Sequence, residues 1–253
     1  MFAGASPLLA GFWGLVAAAA LLIGATVGYF LKMPRRISAS IMAFGAGVLI
    51  AALSFGLMEE AYTRAGAVPV TMGFLGGAVV YTAASLLLSK FGGRYRKRSA
   101  NQLSEDDLAG SGRAIALGAL LDGVPESIVL GISMLGGAPV SIVLLGAIFI
   151  SNFPEGLSSA VGMRSAGRSK RYVFGVWGFI TVISGFAAWL GYAAFGSASQ
   201  ASIAVIEASA AGAILAMIAD TMIPEAFEQE QELVGLVTVL GFMLAFILDR
   251  LGG

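Results

Sequence analysis

The sequence predicts an all-α, polytopic membrane protein in which eight transmembrane helices form a single domain over residues 1–253. Three observations predict it. The 253 residues are 58% hydrophobic and only 12% charged, and 35 of them are glycine, a balance foreign to water-soluble domains of this size. Apolar stretches of about 20 residues, the length a bilayer crossing needs, recur along the chain. The charges then test the helix count: thirteen of the fifteen Lys and Arg fall after helices 1, 3, 5 and 7, leaving Arg64 and Arg250 on the opposite face. By the positive-inside rule the odd-numbered loops are cytoplasmic and both termini are outside, with the cytoplasmic (plasma or inner) membrane as the location.

Helix 1, read over residues 8–31, has no positive charge before it and reads as retained rather than as a cleaved signal. Helix 2, over 37–61, ends on Glu59 and Glu60, and helix 3, over 70–90, carries a small-residue face from Gly73 to Gly77 suited to close packing or dimerisation. The connection 91–113 contains Arg94-Tyr95-Arg96-Lys97-Arg98 and then Ser104-Glu105-Asp106-Asp107. It reads as a mobile cytoplasmic loop whose solvated charges, with Lys32, fix the topology. Helices 4 (114–136) and 5 (139–163) each contain a Pro-Glu step, Asp122-Gly123-Val124-Pro125-Glu126-Ser127 and Ser151-Asn152-Phe153-Pro154-Glu155-Gly156. Helices 6 (172–196), 7 (202–226) and 8 (233–249) complete the set, with Asp220 inside helix 7, Glu225 near its end, and Glu228, Glu230 and Glu232 in the turn that follows.

Composition also excludes functions. Equal numbers of acidic and basic residues give no field for nucleic acid. Without cysteine or histidine, neither a disulfide nor a thiolate or imidazole metal site can form. No glycine loop ending in Lys-Ser or Lys-Thr is present to hold a nucleotide phosphate.

Residues 43–61 align without gaps on 208–226, sharing a small-residue start and a Glu-Ala finish. Four helices lie between these copies, an even number, so helices 2 and 7 run in opposite directions, as do helices 4 and 5 with their paired Pro-Glu steps. That is the pattern of an inverted-topology repeat, whose transport site lies near the midplane.

The chemistry concentrates there. A carboxylate at bilayer depth costs roughly 2.5–3.5 kcal/mol on insertion scales and ordinarily faces a polar pathway. Asp122 and Glu126 are four residues apart and share a helix face, as do Ser151 and Glu155, with Asn152 beside them. Each proline frees a carbonyl one turn earlier. Helices 4 and 5 contain no basic residue in their cores, so protons or a divalent cation are expected to neutralise the acids. The divalent cation also accounts for the clustering of oxygen ligands. The expected ligands are Asp122, Glu126, Asn152 and Glu155, with Ser151 and Asp220 as weaker ones; Glu59 or Glu60 would collect ions outside and Glu225 would assist release inside.

Eight helices, a long loop after helix 3 and Pro-Glu steps on helices 4 and 5 together resemble the ZIP (Zrt/Irt-like) divalent metal transporters over nearly the whole chain. In that family helix 4 reads His-Asn-x-Pro-Glu-Gly; here Asp122 stands in the histidine place, Gly123 in the asparagine place and Glu126 in the glutamate place. The resemblance implies a 3+2+3 helix arrangement, movement of zinc, manganese or iron toward the cytoplasm, no tightly bound cofactor, and often a homodimer. Replacing histidine by aspartate makes the site harder and favours manganese or magnesium over zinc. Helix 6 offers only Thr181 and Ser184 where relatives bridge a second metal, so one principal site is expected. Two rival readings are a transport-inactive relative that senses or scaffolds, and an intramembrane hydrolase using paired carboxylates.

Overall fold

The computed structural model describes residues 5–31, 34–99, 102, 104, 106–108, 110–229 and 232–252; Lys32, Glu105 and Glu230, read above as loop charges, lie outside them. Among the described residues eight helices are long and apolar enough to cross a membrane: α1 Pro7–Phe30, α2 Arg36–Ala65, α3 Ala67–Ser89, α4 Ser111–Ile132, α5 Ile142–Ser165, α6 Lys170–Phe195, α7 Gln200–Glu228 and α8 Val234–Leu251. This is the architecture of a multi-pass membrane protein.

The starts follow local chemistry. Ser6, Ser141, Ser169 and Ser199 each accept a hydrogen bond from a backbone N–H in the first turn of α1, α5, α6 and α7. Such caps satisfy donors that the helix itself cannot. Expected and observed ends differ by a few residues. The largest shifts are at the ends of α2, which continues to Ala65 rather than 61, and of α4, which stops at Ile132 rather than 136 because Gly136 and Gly137 turn the chain at φ 73° and 85°.

Glycine sets the packing. α1 lies against α5 and α6, α2 against α5 and α8, α3 against α7, and α4 against α6. At four of these crossings glycines answer one another: Gly24 and Gly156 between α1 and α5, Gly47 and Gly241 between α2 and α8, Gly77 and Gly212 between α3 and α7, Gly131 and Gly191 between α4 and α6. A Cβ at any of them would strike a backbone carbonyl of the facing helix. With no side chain between them the backbones approach closely, which is how helices associate where burial of apolar surface from water is not the driving force. Residues such as Val68, Met72, Leu75 and Val79 on α3, and Leu236, Val239, Leu240 and Met243 on α8, remain on the outside, where acyl chains would cover them.

Two helices depart from regular α geometry. α2 contains a π segment over Ala52–Met58, and α7 contains one over Ile218–Met222. The gapless alignment of 43–61 on 208–226 carries 52–58 onto 217–223, which brackets the second segment, and carries Gly47 onto Gly212.

Candidate functional site

α4 and α5 place their acids near mid-helix and bury them: Asp122 and Glu126 are each 2% exposed and Glu155 is 5% exposed. The sequence led to protons or a divalent cation as the counter-charge; in the structure, basic side chains from outside α4 and α5 lie against Asp122 and Glu155. Arg96 and Lys97, read from sequence as solvated loop charges, are 1% and 3% exposed and enter the acidic centre from the α3–α4 connection. The physical reason is charge balance: buried carboxylates without partners are far costlier than paired ones, and the nearest basic run supplies the partners.

Arg96 forks onto Asp122, its Nε donating to Oδ2 at 2.7 Å and its Nη2 to Oδ1 at 2.9 Å. The Tyr81 hydroxyl of α3 donates to the same Oδ1 at 2.8 Å and accepts from Arg96 Nη2 at 2.5 Å, while Arg96 Nη1 donates to the Gly93 carbonyl at 3.0 Å. Gly118, one turn before Asp122, leaves the space through which the Arg96 side chain passes. Burial works against the Arg96 charge, yet Asp122 outweighs it and holds the guanidinium pKa above its ordinary value. Lys97 Nζ sits between two acids, 2.6 Å from Glu155 Oε1 and 3.3 Å from Asp122 Oδ2. Thus the structure does bring Asp122 of α4 and Glu155 of α5 to one place, through a shared ammonium.

Glu126 differs. Its Oε1 has no hydrogen-bond partner among the described residues. It faces Leu49, Leu53 and Leu57 of α2, Val129 of α4, and Leu144 and Ile148 of α5. These side chains lie toward the helix ends remote from the α3–α4 connection, so the centre is closed on that side by an apolar plug.

On the near side, the residues after Lys97 continue as a strap. Arg98 pairs with Glu228. Ser99 donates its backbone N–H and its hydroxyl to Glu225 Oε1 at 2.8 and 2.9 Å. Gln102 Nε2 reaches the carbonyls of Arg98 (2.8 Å) and Ser159 (3.3 Å). Glu225, expected to assist release inside, is buried and bound to the strap.

The remaining expected ligands are spread out. Ser151 Oγ donates to the Ile148 carbonyl of its own helix at 3.0 Å, and Asn152 Nδ2 donates to the Ala17 carbonyl of α1 at 3.1 Å. Asp220 is exposed on the π segment of α7. Glu59 and Glu60 are exposed at the end of α2 remote from the strap, where Glu59 faces Arg250 at 3.7 Å and Glu60 bonds Arg64 at 3.1 Å. With Thr63 and Asp249 these residues line a cleft of about 460 Å³. Arg64 also approaches the buried Glu207 of α7 at 3.6 Å. Among the described residues no three acidic side chains are grouped so as to hold a metal ion.

Sequence reasoning missed Arg96, Lys97 and Tyr81. The available signal was the deficit itself: three mid-helix acids demand counter-charge, and Arg94–Arg98 is the densest basic run in the chain. No family model matches the chain, and no curated protein sequence matches it.

Proposed function

We propose that this chain is a carrier for a divalent metal ion, such as zinc, manganese or iron, working in the manner of the ZIP transporters that its sequence resembles. The observation that carries the reading is the buried meeting point of Asp122 and Glu155, where positive charge sits between carboxylates of two neighbouring helices near mid-span. A centre of that kind is costly in lipid and is retained for ion handling. The cargo would bind carboxylate oxygens of Asp122, Glu126 and Glu155 once Arg96 and Lys97 withdraw. Asn152, Ser151 and Asp220 would join only after reorientation.

An inverted repeat in the 3+2+3 order is the frame we propose. Its support is the matched π segments of α2 and α7 and the matched glycine crossings, α2 on α8 and α3 on α7, at Gly47 and Gly212. π segments are frequent where helices must yield at functional sites. The charge distribution supports a strap on the cytoplasmic face and both termini outside. Release would then run past Glu225 on the strap side.

One observation favours a second reading: the acids are already paired, and no ready metal group stands among the described residues. A transport-inactive membrane protein locked by these ion pairs, with a sensing or scaffold role, would look the same. Uptake into proteoliposomes separates the two. A carrier accumulates Mn²⁺, Fe²⁺, Zn²⁺, Co²⁺ or Cd²⁺ and loses at least about tenfold in rate with Glu126→Ala or Glu155→Ala, one carboxylate ligand being worth a tenfold step or more. Absence of flux with every ion, from folded protein, favours the locked reading.

A further inference from the structure

Resting on that reading, we infer that Arg96 and Lys97 are resident counter-cations that replace the cargo when the site is empty, so that metal and strap exclude each other at one acidic centre. Three observations lead there. The basic pair enters the acidic centre itself rather than its rim: Lys97 Nζ lies between Glu155 and Asp122, and Arg96 occupies both oxygens of Asp122. Both side chains come from a connection instead of a membrane span, so they can leave without unfolding a helix. A built path, Gly93 carbonyl, Gly118 gap and Tyr81 hydroxyl, receives the guanidinium on the way in.

Charge accounting gives the exchange its sense. Two side chains with one positive charge each match the charge of one divalent ion. The acidic centre therefore keeps the same net charge whether it holds the metal or the strap, and it is never left bare in low dielectric. The return of the empty carrier then requires no proton to travel back in place of the metal. A monovalent ion cannot replace the pair charge for charge, so the pair also selects for valence. Lys97 and Arg96 are in this sense positioning and selectivity residues that touch the ligands rather than the cargo.

The docked strap buries the backbone around Ser99, whose N–H is held by Glu225. Hydrogen–deuterium exchange of residues 95–99 in lipid nanodiscs, titrated with Mn²⁺ and with Na⁺ at matched ionic strength, reads its release directly. The expected result is slow exchange without Mn²⁺, acceleration as Mn²⁺ rises, and no response to Na⁺. Lys97→Gln, which leaves the Arg96–Asp122–Tyr81 bonds intact, lowers the Mn²⁺ midpoint roughly tenfold or more, since it removes a buried competitor for Glu155. Lys97→Arg, which keeps the charge, stays much nearer wild type. Asp122→Asn, which leaves the docked guanidinium without its carboxylate, weakens docking and speeds exchange before any Mn²⁺ is added. Exchange that ignores Mn²⁺ in protein that transports Mn²⁺ in a parallel proteoliposome assay overturns this inference and leaves the transport reading standing. Lack of uptake of every divalent ion in the proteoliposome assay, together with exchange that none of those ions changes, overturns the transport reading and this inference with it.

Discussion

At the residue scale the sequence made the acids visible and hid their partners. Asp122, Glu126 and Glu155 stand out because a carboxylate in an apolar helix has no cheap explanation. Arg96 and Lys97 do not stand out, because a basic run beside a membrane span has an ordinary one, the control of topology. Only the packed chain shows that Arg96 runs through the Gly118 gap to Asp122. Asp122→Asn leaves a buried guanidinium without its carboxylate, a loss of about 3–5 kcal/mol for a broken buried pair. Thermal unfolding in detergent should therefore shift strongly downward, and the double variant Asp122→Asn with Arg96→Gln should recover part of the loss. A double variant no more stable than Asp122→Asn alone would refute the pairing. Tyr81→Phe removes a hydroxyl bonded to two charged groups, Asp122 and Arg96, and should cost at least about 1.5–3 kcal/mol on the same assay.

At the scale of elements, the number and order of helices were legible, since apolar length and alternating charge both register every crossing. Helix ends were less so: α4 stops early at a pair of positive-φ glycines that hydropathy does not see. The likeness of 43–61 to 208–226 was legible as sequence, whereas the π geometry inside both was not, because hydrogen-bond register leaves no mark in a pattern of small and apolar residues. Glycine content announced close packing without saying where. The structure assigns it, and the assignment is testable. Gly47→Val and Gly212→Val push a branched side chain into a facing carbonyl and should each destabilise by at least the roughly 1–3 kcal/mol of an overpacked core. Gly76→Val, at a position with nothing within 4 Å of an added Cβ, should leave the melting temperature near wild type.

At the scale of the whole molecule, sidedness remains the most accessible measurement, and the absence of cysteine makes it clean. Single cysteines at Ser6 and Ala198 should react with a membrane-impermeant maleimide from outside intact cells, and cysteines at Ala166 and Asp107 only after permeabilisation. Equal labelling of Ser6→Cys and Ala166→Cys would remove the eight-crossing arrangement. The segment from Arg96 to Ser99 gives the molecule a property that no single bond in it has. It is fastened to α4 and α5 through Lys97 and to α7 through Ser99 and Arg98, so it rivets together helices that the proposed carrier would have to slide apart. Turnover would then be paced by unfastening, one bond after another from the solvent-facing end inward, much as a zipper opens from its tab. Such a carrier should show a steep temperature dependence of flux, and that steepness should shrink when Arg98 or Glu228, the outermost fastening, is cut to alanine.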